Sequence, residues 1–195
     1  MCGRISERIR MRACLVGGGA GQIRCNLKER LWMRLRGVGM TILTEGIVMG
    51  LVATAAMDLW GLLLNRLVGL PMSNWGRAGR WVVQVAQGRV FHDDIGAVPP
   101  VPREAQIGWA FHYAVGVIYG VALALLMGPG WLAAPTLGPA WVFSIVMIGF
   151  GWFLMQPAMG AGLAASRTPT PWRARALGLA AHTVFGLGLW VGAMV

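Results

Sequence analysis

Three ionisable side chains lie well inside long apolar runs of this chain, Asp58, His112 and His182, and Gln156 stands near the end of another such run. An ionisable group within hydrocarbon costs about 2.5 to 3.5 kcal/mol on insertion scales, so each of them asks for a use. One carboxylate and two imidazoles offer three. The carboxylate can orient an imidazole for proton transfer or for binding a small polar ligand. Two histidines and a carboxylate can hold a divalent cation such as zinc. The same groups can also simply hydrogen-bond between helices and fix a bundle. No HxxxH or HExxH spacing supports the metal reading. The sequence therefore yields a candidate polar cluster of Asp58, His112, Gln156 and His182, with no catalytic residue assigned, no confident metal ligand and no cofactor implied. Whether the protein is an enzyme stays open.

The elements that must position these residues are membrane helices. Four stretches, 42–64, 107–127, 139–158 and 176–195, reach the roughly 20 apolar residues needed to cross about 30 Å of hydrocarbon. Asn65 and Arg66 close the first, Gly128-Pro129-Gly130 ends the second, and Pro139 suits the first turn of the third. With 56% apolar residues, 12% charged residues and 29 glycines, the composition is that of packed spanning helices. Asp58 lies six residues before Leu64, His112 five after Ile107 and His182 six after Ala176. At 1.5 Å per residue all three fall roughly 8 to 9 Å below the same membrane boundary, with Gln156 a little shallower. Four polar side chains from four helices thus share one leaflet.

Between the first two spans, Arg77, Arg80, Gln84 and Gln87 recur at helical spacing opposite Ala78, Trp81, Val82, Val85 and Ala86. This pattern predicts an amphipathic helix lying in the interface, where headgroups accept cations and indole rings. Arg77, Arg80 and Trp81 are expected at that lipid interface, joined by Trp172, Arg173 and Arg175 from the loop before the fourth span, and anionic headgroups are the expected partners. The expected fold class is an all-α membrane protein with four transmembrane helices plus one interfacial amphipathic helix.

The formal charge of +10 does not describe this body. Nine of the 17 Lys+Arg precede Met40, together with all three cysteines, at spacings that match no paired metal motif. From Met40 onward there are eight arginines against five acids. All eight fall in loops 65–106 and 159–175, on one side of a four-span body. By the positive-inside rule that side is cytoplasmic, with both termini outside, in a multi-pass protein of the bacterial inner membrane. A basic arm at residues 1–39 would sit on the wrong side. The segment is accordingly expected to be disordered or to reflect a start codon placed too early, with translation beginning at Met40; an N-terminal mass spectrum starting at Met1 would overturn this. Nucleic acid is not an expected partner, since the basic, aromatic stretch from Ser166 to Arg175 sits between two spans.

Gly46 and Gly50, Gly116 and Gly120, and Gly188 and Gly192 each place two small residues on one helix face, which favours close packing and allows a homo-oligomer without requiring one. Pro157 can open a helical turn or simply end the third span. His92-Asp93-Asp94 reads as a solvated loop, because three consecutive residues seldom converge on one ion. The outer half carries few polar groups, Glu45, Thr44, Tyr119 and Ser144, which argues against a self-contained transport path.

Several stretches resemble a bacterial integral-membrane family known as a domain of unknown function, DUF2938. They are Ala53 to Trp60, Asn74-Trp75-Gly76 with Gly79-Arg80-Trp81, Gly108 to Tyr113, Gln156 to Gly160, Ala164 to Pro169 with Pro171-Trp172, and His182 to Leu189. In order, they cover most of the body from Met40 to Val195. The resemblance implies a compact four-span membrane protein and brings no substrate, cofactor or catalytic residue. The stretches that carry it include all four members of the polar cluster. Three functions follow as alternatives: binding of a small polar ligand or proton relay, a structural or assembly role in which the cluster holds the helices together, and a membrane-embedded metal-dependent enzyme.

Overall fold

The computed structural model describes residues 27–195, with side chains from residue 37. The chain divides into two units, Met1–Met40 and Thr41–Val195, and the second carries the candidate site. Of the segment 1–39, whose order and translation the sequence places in question, residues 1–26 lie outside the described residues.

Helix α1 is Leu27–Val68, α2 Trp75–Ala86, α3 Glu104–Ala133, α4 Leu137–Phe150 and α5 Pro171–Gly192. Four candidate spans follow, Gly37–Val68, Glu104–Ala133, Leu137–Ala158 and Pro171–Gly192, all long and apolar enough to cross a membrane. Each contains most or all of an expected span. The ends differ for local reasons. In α3 the regular helix breaks at Gly128, whose φ of 69° suits a residue without a Cβ, and Pro129 starts a last short turn. The fourth span starts at Pro171, where the fixed proline φ suits a first helical turn, so the helix begins five residues before the apolar run does.

Glycine sets the packing of these helices. A Cβ on Gly46 would lie 2.6 Å from the Cα of Val121, and one on Gly50 2.6 Å from the Cα of Val117, closer than real side chains come. Gly116 and Gly120 complete this contact from the α3 side. Gly192 makes the equivalent approach of α5 to α1, 2.7 Å from the Met49 Cα, and Gly188 fits against Ala53. All three glycine pairs picked out by spacing thus become helix–helix contacts. Gly186 seats α5 on Trp141 and Ser144 of α4. Met49, Ala53, Leu123 and Leu189, all fully buried, fill the centre. With little hydrophobic driving force between helices in lipid, such close approach gains van der Waals contact and holds the spans together.

α4 continues through a wide π-helical turn, Gly151–Met155, into Gln156–Ala158, with the Gln156 amide donating to the Gly151 carbonyl. Pro157 explains the widening. It has no N–H to offer the Phe153 carbonyl, and its ring would press against that oxygen in a regular helix.

α2 lies across the start of α3, with Gly79 and Gly108 giving the backbones room to meet. This contact turns part of the expected lipid face inward. Arg80 is only 7% exposed and Trp81 only 5%, so neither stands at the lipid interface where the sequence puts it. Arg80 makes a two-point ion pair with Glu104, 2.9 Å at both Nε and Nη2, and its Nη1 donates to the carbonyls of Ile95, Gly96 and Val98. A guanidinium with all three nitrogens hydrogen-bonded can be buried where a lone cation cannot. The carboxylate of Glu104 also raises the Arg80 pKa above its already high ordinary value, so the cation persists at any pH the protein meets. Trp81 donates its indole N–H to the Val90 carbonyl at 2.9 Å. Periodicity cannot reveal such partners, because Glu104 and the carbonyls come from other segments. Arg77, Trp172, Arg173 and Arg175 do remain exposed.

Candidate functional site

The geometry begins with one carboxylate. Asp58 of α1 accepts from the His112 imidazole, Nε2 to Oδ1 3.0 Å, and from the Tyr113 hydroxyl, 2.9 Å to Oδ2. His112 is buried, and the Trp75 ring stacks on it at 3.9 Å with 22° between the planes. Glycine packing makes this possible: α1 and α3 come close at Gly50 and Gly116, about two turns from Asp58 and about one from His112. The stacking depends on α2 in turn, since Trp75 is its first residue.

His182 stands apart from that pair. Its Nδ1 donates to the Gly178 carbonyl one turn back, at 3.1 Å, while the Ser144 hydroxyl of α4 donates to the His182 carbonyl. Each acceptor decides a tautomer. A carboxylate and a carbonyl only accept, so His112 carries its proton on Nε2 and His182 on Nδ1, and the remaining nitrogen of each neutral ring is an acceptor.

Both histidines line one cavity of about 140 Å³, which has walls from all four spans and from Trp75. Roughly 10 to 15 Å³ admits one water on the same scale, so there is room for a small molecule. Its walls are otherwise mainly apolar: Met57 from α1, Phe111 and Val115 from α3, Met147, Phe150 and Met155 from the α4 span, and Phe185 from α5. Thr54 also borders it, with its hydroxyl donating to the Gly50 carbonyl at 2.7 Å.

The expected cluster of four is thus partly assembled. Asp58 and His112 meet, His182 lines the same cavity as His112 without bonding to Asp58, and neither Asp58 nor Gln156 lines it. The Gln156 Oε1 is buried and accepts no hydrogen bond among the described residues. Gln156 follows the widened turn, which rotates it relative to an ordinary helix. Among the described residues no three His, Cys, Asp or Glu side chains come close enough to hold a metal ion. The site of two histidines and a carboxylate therefore does not form among the described residues, because the His182 side chain does not come close to the Asp58–His112 pair. His92-Asp93-Asp94 forms no such group either; its backbone docks on the end of the α4 span, His92 N to Ala158 O 2.9 Å.

Tyr113 and Trp75 are the site residues that sequence reasoning missed. Both lie inside the stretches that carried the family resemblance, Gly108 to Tyr113 and Asn74-Trp75-Gly76, and that was the available signal.

A family model described as "Protein of unknown function (DUF2938)" matches residues 47–195. The chain belongs to the DUF2938 family. That match contains α2, α3, α4 and α5, the part of α1 that bears Asp58, and every residue of the cavity. No curated protein and no solved structure matches this DUF2938 chain.

Proposed function

We propose that this DUF2938 protein binds a small molecule inside its membrane domain, in the cavity bordered by His112 and His182, and holds a hydrogen-bond-donating group of that molecule against the imidazoles. The observation that carries this reading is the Asp58–His112 pair at the edge of an apolar cavity. Asp58 and Tyr113 fix one end of the imidazole's environment, and Trp75 fixes its plane. An imidazole oriented in this way is poised as an acceptor, and it is equipped to take a proton from what it binds. Such an arrangement of apolar walls with a few placed polar groups is typical of small-molecule sites.

The test compares wild-type protein with His112→Gln, both purified in the same mild detergent and extracted for untargeted mass spectrometry and elemental analysis. A molecule retained by the wild type and reduced about tenfold in the variant is the expected result, since one lost hydrogen bond of about 1 to 1.5 kcal/mol is about tenfold in affinity. No retained molecule and a large loss of stability in the variant would replace binding by the structural role, in which the pair only joins α1 to α3. A stoichiometric metal lost in the variant would replace it by the metal-dependent alternative.

The same proposal sets the protein in the bacterial inner membrane with loops 65–106 and 159–175 in the cytoplasm. The support is the placement of all eight arginines of the body in those two loops. The binding cavity then lies in the cytoplasmic leaflet.

A further inference from the structure

Around the bundle the spans are unequally joined. α3 packs on α1 through Gly46, Gly50, Gly116 and Gly120, α1 on α5 through Gly188 and Gly192, and α5 on α4 from Trp141 down to Trp152. The fourth seam, between α3 and α4, is different. Their backbones barely approach each other, and the side chains that join them are Tyr119 and Phe143, with ring centroids 6.3 Å apart. At the arginine-bearing end, Phe111 and Met155 both pack on a cluster of Trp81, Ile95 and Ala158, which closes the seam again. Between these two closures lie Val115, Met147 and Phe150, all lining the cavity. Phe150 also has 36% of its surface exposed, and on a spanning helix that surface meets hydrocarbon. One side chain therefore borders both the cavity and the bilayer.

We propose, resting on the binding function above, that the ligand is a membrane-dissolved amphiphile with a slender apolar chain and one small donor group such as a hydroxyl, and that it enters sideways between α3 and α4. The chemistry agrees on both counts. The apolar walls match a hydrocarbon chain, and the acceptor nitrogens of His112 and His182 match a single donor. A strongly polar, water-soluble solute would leave most of its hydrogen-bonding groups unmatched against Phe, Met and Val. Phe150 and Val115 form the threshold, and the π-helical turn starts at Gly151, directly after Phe150.

The full chain in proteoliposomes, with a long-chain fatty alcohol bearing a mid-chain diazirine as probe, tests this by irradiation and peptide mapping. Met57 lines the cavity from α1, away from the seam, whereas Val146 is 62% exposed on the outside of α4 and reports ordinary contact with lipid. Adducts at Met57 are expected in the wild type. They should fall about tenfold in Val115→Trp, which narrows the seam, and rise in Phe150→Ala, which widens it, with Val146 labelled alike in all three. Should Val115→Trp fail to fold, the rise in Phe150→Ala decides. Val146 adducts without Met57 adducts, or Met57 adducts indifferent to both variants, overturn lateral entry. The failures separate cleanly: a water-soluble molecule retained through His112 with Met57 unlabelled overturns the ligand class and keeps the binding function, while nothing retained and Met57 unlabelled overturns both.

Discussion

Asp58 serves two donors at once, and this makes it the residue whose loss reaches furthest. Asp58→Leu leaves His112 and Tyr113 facing a site with no acceptor, and stranded buried donors cost about 1 to 3 kcal/mol. Thermal unfolding in detergent should show that loss. Tyr113→Phe takes the donor from Oδ2 of a carboxylate that keeps His112 on Oδ1 and is 21% exposed, so it should cost about 0.6 kcal/mol, the average for interhelical hydrogen bonds in membranes. Asp58→Asn should fall between them, because its single amide oxygen can still accept while its NH2 faces another donor. If Tyr113→Phe proves as damaging as Asp58→Leu, the tyrosine has a role beyond that hydrogen bond. The histidine pair was foreseeable only in part. Asp58 and His112 sit at equal depth on the sequence, but depth fixes height and leaves rotation about the helix axis free; the α1–α3 glycine contact supplies the rotation.

At the scale of elements, the glycines divide into those that touch a neighbouring backbone and those that touch nothing. A Cβ on Gly50 would collide with the α3 backbone, whereas one on Gly61, three turns later on the same helix, meets nothing within 4 Å. Gly50→Ala should therefore lower the melting temperature, and Gly61→Ala should leave it unchanged or raise it, with alanine favoured over glycine by up to about 1 kcal/mol in a helix interior. Equal effects from the two would show that helix propensity, and not the α1–α3 approach, governs stability. Arg80 belongs to this scale too, because it ties α2, α3 and the segment from Ile95 to Val98 together. Lysine keeps the charge but not the planar fork. Arg80→Lys should make the loop between Ala86 and Glu104 cleavable by a protease that spares the wild type; equal resistance would mean that charge alone holds the loop. Amphipathic periodicity found α2 but put Arg80 in the headgroups, since a sequence pattern registers that a residue is polar without registering that its partner is 24 positions away.

At the scale of the whole molecule, the arginine distribution gives a topology that accessibility can check. With Cys2, Cys14 and Cys25 replaced by serine, a cysteine introduced at Ser166 should react with a membrane-impermeant maleimide only from the cytoplasmic side. A cysteine at Gly138, where an added side chain meets nothing within 4 Å, should react only from the opposite side. The reverse pattern would invert the protein and move the cavity to the outer leaflet. Labelling of both from one side would contradict an odd number of crossings between them.

The sequence by itself determined the number of spans, their approximate limits and the glycine faces on which the helices meet. These are properties of single segments in a solvent that demands about 20 apolar residues per crossing and internal backbone hydrogen bonds. Only the tertiary structure decided that His112 takes Asp58 while His182 takes its own backbone, that Gln156 stays out, that Arg80 is buried against Glu104, and that Trp75 and Tyr113 complete the site. Each of those outcomes depends on how a helix is rotated about its axis and on which segment packs beside it. Rotation follows from contacts between segments far apart in the chain, and local periodicity carries no record of them.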